Sequence, residues 1–262
     1  MALTSSSVVP GAEFSSTWLY NSNNLDSTAG AWKTVGYVPG ADWGSGPGSF
    51  GFETSAGVLA AAPAPINTPL SANSAAPGDT LTTTYFRKDI MLPALPAGGR
   101  YVICHYTDDG HITYLDGVEI NRFGMAPASA GAITFTNRST GIPTSEATMR
   151  AFSFTATPGA HVLAVELHQL GVTSSDVFFA MEVRIVLGPS PSLSISRGGS
   201  PLATTLSWNA DSTWRLRGDN VVTGPYEDVA VPAGTALGTY VVPAAAATTG
   251  NFFYLLDYIC LP

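Results

Sequence analysis

At 262 residues the chain has room for one large domain or two ordinary ones. Its 27 glycines and 19 prolines, set against only 11% charged residues, argue against a helical protein, whose exposed faces carry many Glu, Lys and Arg; 45% hydrophobic and 10% aromatic residues argue equally against disorder. With a net charge of −8 and Lys33 and Lys88 as its lysines, the chain has too few cations to bind a phosphate backbone or an anionic membrane, and no apolar run is long enough for a helical membrane span.

The N-terminus, Met1 to Ser7, has neither a basic stretch nor an apolar one, so no secretory signal is visible. Two origins fit: a cytoplasmic product, or a piece trimmed from a longer secreted protein. Residues 56–80, rich in Ala, Pro, Ser and Asn, read as a long irregular excursion. No window sustains a helical period; what recurs is alternation with period two, bounded by Gly, Pro, Asn, Asp and Ser.

Between Ile112 and Asn121 the pair Asp116-Gly117 separates two strand-like runs and predicts a two-residue type I′ hairpin, whose central residues need positive φ. The expected register sets Leu115 opposite Val118 and Thr113 opposite Ile120 on one face, with Tyr114 and Glu119 on the other. A strand over His161–Gln169 points Leu163, Val165 and Leu167 inward, leaving Glu166 and His168 together on the opposite face. After a loop at 170–175, a strand over Asp176–Leu187 puts Val177, Phe179, Met181, Val183, Ile185 and Leu187 on one face. The run Gly188-Pro189-Ser190-Pro191-Ser192 has linker chemistry. Beyond it, short strands are expected at Leu193–Ser196, Thr204–Trp208, Thr213–Leu216, Tyr240–Val242 and Asn251–Tyr258. The organisation predicted is therefore 1–187, a linker at 188–192, and a small β-domain at 193–262.

Several residue groups could carry chemistry. Glu166, His168, Ser174, Ser175 and Asp176 include the types of a nucleophile, a base and an orienting acid, but strand alternation alone brings Glu166 and His168 together, so a structural hydrogen-bond network is expected and no catalytic residue is assigned. Asp108 and Asp109, followed by Gly110, offer hard oxygens to Ca²⁺ or, as an ordinary turn, accept local backbone N–H groups. His105, His111, His161 and His168 lack a zinc spacing and read as one strand residue, two turn residues and a member of the network. Trp18, Trp32, Trp43, Tyr37, Phe50 and Phe52 crowd the N-terminal part as either sandwich core or a platform on which sugars stack. Cys104 and Cys260 lie far apart and read as two buried thiols, which leaves the compartment open.

Read in order, Trp18-Leu19-Tyr20, Ala31-Trp32, Asp42-Trp43-Gly44-Ser45-Gly46, Phe50-Gly51-Phe52, Tyr85-Phe86-Arg87-Lys88, Tyr106 to Gly110, Tyr114 to Ile120, Pro158-Gly159, Leu163 to Gln169 and Ser174-Ser175-Asp176 resemble the galactose-binding-like jelly-roll β-sandwiches. These serve as accessory modules of secreted bacterial proteins and as phage structural proteins. The C-terminal segments Thr213-Trp214-Arg215-Leu216, Gly224-Pro225-Tyr226 and Asn251 to Leu255 look like a short β-domain found at the ends of such proteins.

The resemblance implies an all-β protein, an antiparallel jelly-roll sandwich with a second, smaller antiparallel β-domain. From the residues themselves, Trp18, Trp32, Trp43, Glu166 and His168 are the candidate ligand contacts, and the structural calcium of many such sandwiches makes Asp108 and Asp109 the one metal site to test. The expectation drawn is a non-enzymatic virion structural protein, a capsid decoration or a tail or fibre component, made in a host cytoplasm and displayed on the virion surface. It would contact other subunits of its assembly and surface glycans, as a homo-oligomer or part of a larger assembly, without nucleic acid or membrane insertion. The alternative is an extracellular carbohydrate-binding accessory module of a secreted bacterial protein.

Overall fold

A computed structural model of the chain describes residues 5–23, 31–70, 82–126, 132–140, 149–171, 174, 176–187, 193–198, 203–208, 214–219, 227–228, 239–242, 253–258 and 260. The chain divides into two units, Ser6–Val186 and Leu187–Pro262 together with Met1–Ser5. The expected linker at 188–192, Ser175, the second half of the 56–80 excursion and the Gly224-Pro225-Tyr226 segment lie outside the described residues.

The larger unit is an antiparallel β-sandwich. Its strands are β1 (Ser5–Val8), β2 (Thr17–Asn21), β3 (Gly44–Pro47), β4 (Phe50–Phe52), β5 (Thr68–Pro69), β6 (Thr83–Leu92), β7 (Gly99–Asp108), β8 (Gly110–Leu115), β9 (Val118–Phe123), β10 (Arg150–Phe154), β11 (Gly159–His168) and β12 (Val177–Leu187). One sheet runs β10-β7-β12-β4-β5, with β1 also paired to β12; the other runs β3-β2-β6-β11-β8-β9. Of the pairs with a defined register, β4 with β5 is the parallel one.

The sheets enclose a core in which alternation is obeyed. Leu163, Val165 and Leu167 of β11 meet Val177, Phe179, Met181 and Val183 of β12, with Trp18, Phe50 and Phe86 between them. Phe86 stacks on Phe179 with ring centroids 4.0 Å apart, and Trp18 meets Phe179 edge-on at 5.3 Å. These geometries let large rings fill a layer at interior density.

Both faces of β11 are covered. Val162 and Ala164, pointing the other way, join Trp32, Tyr85, Ile112, Tyr114 and Met125 in a second cluster, with Tyr37, Trp43, Ile133 and Phe135 packed against it. Segments 31–43 and 132–140 thus roof the outer face of this sheet. Arg87 fastens the first of them by donating to the Trp32 carbonyl at 2.7 Å and the Thr34 carbonyl at 3.3 Å. A polar residue on that face is therefore buried as deeply as a core leucine.

The hairpin forms at Asp116-Gly117, both with positive φ, at 52° and 87°, as a type I′ turn requires. Leu115 pairs with Val118 and Tyr114 with Glu119, but a bulge between Thr113 and Tyr114 then moves Thr113 opposite Asn121, not Ile120. The extra residue sits on β9, the edge strand, where no further neighbour among the described strands fixes the register. Val118, expected inside with Leu115, is 68% exposed.

Two other expectations are corrected. The excursion after Phe52 contains a helix, α1 (Ala56–Ala61), too short to show a period; the Ser55 hydroxyl accepts from the Val58 amide and caps it. Cys104 and Cys260 are both buried, but neither is a free thiol: both are disulfide-bonded. The chain's size had favoured thiols, because a core this large needs no staple, but not needing a disulfide does not prevent one.

The smaller unit holds β13 (Leu193–Gly198), β14 (Ala203–Trp208), β15 (Trp214–Asp219), β16 (Glu227–Asp228), β17 (Thr239–Val242) and β18 (Phe253–Tyr258). They form two three-stranded antiparallel sheets, β13-β14-β17 and β16-β15-β18. Leu206, Leu216 and Cys260 are its buried apolar residues among those described.

Candidate functional site

Alternation along β11 sends Glu166 and His168 to the roofed outer face, where they are 2% and 0% exposed. Glu166 Oε1 accepts from the Tyr114 hydroxyl at 2.5 Å. Burial, and next the adjoining Glu166 charge, push the Tyr114 phenol far above its ordinary pKa, so it remains a donor. His168 Nδ1 lies 2.9 Å from the Asn137 carbonyl and 3.0 Å from the Thr83 hydroxyl, which itself donates to the Phe135 carbonyl at 2.8 Å. A carbonyl only accepts, so Nδ1 carries the proton and donates to Asn137. The other nitrogen, Nε2, stands 3.9 Å from Glu166 Oε2, beyond a hydrogen bond.

These bonds pin segment 132–140 onto the sheet. Ser174 bonds back to the Gly171 carbonyl through its amide at 3.3 Å. Asp176 faces like charges: burial, Glu53 and then Asp109 raise its carboxyl above the usual range. Among the described residues no hydrogen bond joins a serine hydroxyl to His168.

Asp108 and Asp109 are buried where β7 turns into β8, at 1% and 7% exposure. Asp109 Oδ2 accepts from the Leu170 amide at 2.6 Å, the work of a carboxylate that orders a connection. Among the described residues no three His, Cys, Asp or Glu side chains are grouped to hold a metal ion.

The remaining histidines are strand residues. His105 Nδ1 lies 3.2 Å from the Thr107 hydroxyl, which lies 3.1 Å from His111 Nδ1, a polar chain between the sheets. His111, expected in a turn, belongs to β8; burial lowers its pKa to about 3, against a smaller opposing effect of Asn121, with His168 adding to the fall. His161, also expected in a turn, belongs to β11, with Nδ1 2.6 Å from Asp116 Oδ2. Burial works against its charge, but the bonds to Asp116 and to the Thr157 carbonyl together hold its pKa above the ordinary value.

The three tryptophans part company. Trp18 and Trp32 are sealed at 2% and 1% exposure, and neither offers a ring face to a sugar. Trp43 is half-buried, with its indole Nε1–H donating to the half-buried Tyr37 hydroxyl at 3.2 Å and the two ring centroids 6.1 Å apart. Beside them stand exposed Asp42 and Asn23, held by bonds from Asn21 to the Asp42 carboxylate at 2.7 Å and from Asn23 to the Asp42 carbonyl at 2.8 Å. A half-buried aromatic pair next in sequence to a hydrogen-bonded carboxylate has the chemistry to stack on a polar ring compound. Asp42 adjoins Trp43 in sequence, but Asn21 and Asn23 are brought there by the pairing of β2 with β3.

The fold defines an antiparallel β-sandwich protein with a smaller β-unit. No protein-family model matches the chain, and no curated protein matches it in sequence. Among solved structures it is similar to a β-glucuronidase from an uncultured Clostridium species, at 11% identity and a TM-score of 0.41, over 99% of this chain and 44% of that one. It is also similar to a Bacteroides uniformis β-glucuronidase (12% identity, TM-score 0.39, 98% of this chain and 28% of that one) and to a β-glycosidase from Bacteroides vulgatus (8%, 0.36, 98% and 29%). The chain thus spans less than half the length of each of these proteins.

Proposed function

We propose that this chain is a non-catalytic carbohydrate-binding β-sandwich module that works outside the cell. The observation that carries the reading is the Tyr37–Trp43 pair, half-open at the surface and flanked by Asp42 and Asn23. Sugars present alternating apolar faces and hydroxyl edges, which such a surface meets by stacking and by hydrogen bonds. The disulfide-bonded state of each cysteine supports the extracellular setting, since disulfides persist in oxidising compartments and cytosolic thiols are kept reduced. For that reason we prefer the accessory-module reading to a virion subunit made and assembled in a host cytoplasm.

A glycan array followed by calorimetry on the hits tests the proposal. Trp43→Ala should weaken binding by about tenfold or more, the equivalent of ~1.4 kcal/mol, while the fold is retained. An array without any retained glycan, or binding indifferent to Trp43→Ala, would refute it.

A further inference from the structure

We infer that two copies of this chain pair through β13, edge to edge and antiparallel, about a two-fold axis at Ile195. β13 is an outer strand of the β13-β14-β17 sheet, and all six of its residues are exposed. On one side β14 meets it in an unbroken register, from Leu193 opposite Trp208 to Gly198 opposite Ala203. Among the described strands nothing pairs with its other side.

A bare outer strand is a template for another strand, because its outward N–H and C=O groups lack partners. Other outer strands of this chain carry guards against that. β3 ends in Pro47 and β5 contains Pro69; β9 has the bulge beside Tyr114 and the Glu119–Arg122 ion pair; β16 is two residues long and acidic. β13 has no proline, no bulge and no acidic residue. Its apolar side chains are also uncovered. Ile195 is 70% exposed although it lies opposite Leu206, which is fully buried. Opposed residues share a face, so the apolar face of this sheet runs out to the edge and ends there without cover.

The strand's own sequence selects a second copy as the occupant. Leu193-Ser194-Ile195-Ser196-Arg197 has serines placed symmetrically about Ile195. A two-fold axis normal to the sheet keeps the faces of the two copies aligned. It sets Ile195 against Ile195, Ser194 against Ser196 and Leu193 against Arg197. The isoleucines then cover each other on the apolar face, the serine hydroxyls bond across the other face, and each Arg197 stem lies along a leucine. The strand's one charged residue never meets a like charge, and an isologous contact of this kind closes at two copies. Six residues a side make an interface below the standard size, which places the dissociation constant at about 1–100 µM.

Sedimentation velocity of the full chain over a rising concentration series tests this. The parent should pass from monomer to dimer. Ile195→Lys, an exposed substitution that sets two ammonium groups against each other at the axis, should weaken the dimer by about tenfold or more with the melting temperature unchanged. Cysteine pairing reads the register. Opposed Cα atoms of an antiparallel pair lie about 4.5–5.5 Å apart, within disulfide reach, so Ile195→Cys should give a covalent dimer on mild oxidation. Val118→Cys, at a site 68% exposed on β9, should link far more slowly. A mixture of Ser194→Cys and Ser196→Cys chains should link to each other in preference to themselves. A chain that stays monomeric well above that concentration range, a dimer indifferent to Ile195→Lys, or Ile195→Cys linking no faster than Val118→Cys overturns the inference.

Discussion

The Tyr114 hydroxyl donates to Glu166 Oε1 at 2.5 Å across the β8–β11 pair, on a sheet face that is closed to water. The bond makes a buried carboxylate tolerable, because an ionised oxygen left without a donor costs far more than the bond itself gains. Tyr114→Phe should therefore destabilise the protein by about 1–3 kcal/mol in urea unfolding, and Glu166→Gln, whose amide oxygen still accepts, by less. An unchanged midpoint for Tyr114→Phe would show that the pair is not buried as described.

The two environments of tryptophan predict opposite profiles. Trp18→Ala opens a void beside Phe179 and should cost about 3–5 kcal/mol. Trp43→Ala, at the half-open surface, should cost less than ~2 kcal/mol while removing glycan binding. Equilibrium unfolding of the two variants alongside the binding assay checks the contrast.

His111 sets an acid limit. Its pKa is about 3 in the folded chain and near 6.5 unfolded, so between those values the unfolded state binds the extra proton and stability falls as pH falls. Above pH ~6.5 the ring is neutral in both states and has no effect on the slope. Replacing His111 with Asn should flatten the decline of the unfolding free energy between pH 6 and pH 4, roughly the span of that window. Parallel curves for variant and parent would contradict a buried, neutral ring.

The cysteines give the simplest measurement. Thiol titration of the unfolded chain without reductant should find no reactive cysteine, and after reduction should find Cys104 and Cys260. Reduction should lower stability by about 2–5 kcal/mol. Two reactive thiols in protein recovered from an oxidising medium would remove the extracellular argument.

Much of the architecture is local and was therefore readable. The β11 and β12 patterns fixed which side chains meet in the core, and Asp116-Gly117 fixed the hairpin, because period-two alternation and positive-φ turns are properties of a few adjacent residues. The pairing of Glu166 with His168 on one face followed from the same rule.

What sequence left undecided depended on the other side of each strand. Alternation says which residues share a face but not whether that face is wet, so Trp18, Trp32 and Trp43 were equal candidates; the sandwich encloses Trp18, and the packing of segment 31–43 on the outer face buries Trp32 but leaves Trp43 half-open. The bulge beside Tyr114 arose because an edge strand has one neighbour to hold its register. The closeness of Asn21 and Asn23 to Asp42 joins residues remote in sequence. Composition and periodicity thus determined that the chain layers into antiparallel sheets; contacts across long loops, which no local pattern encodes, decided which side chains reach solvent and can meet a ligand.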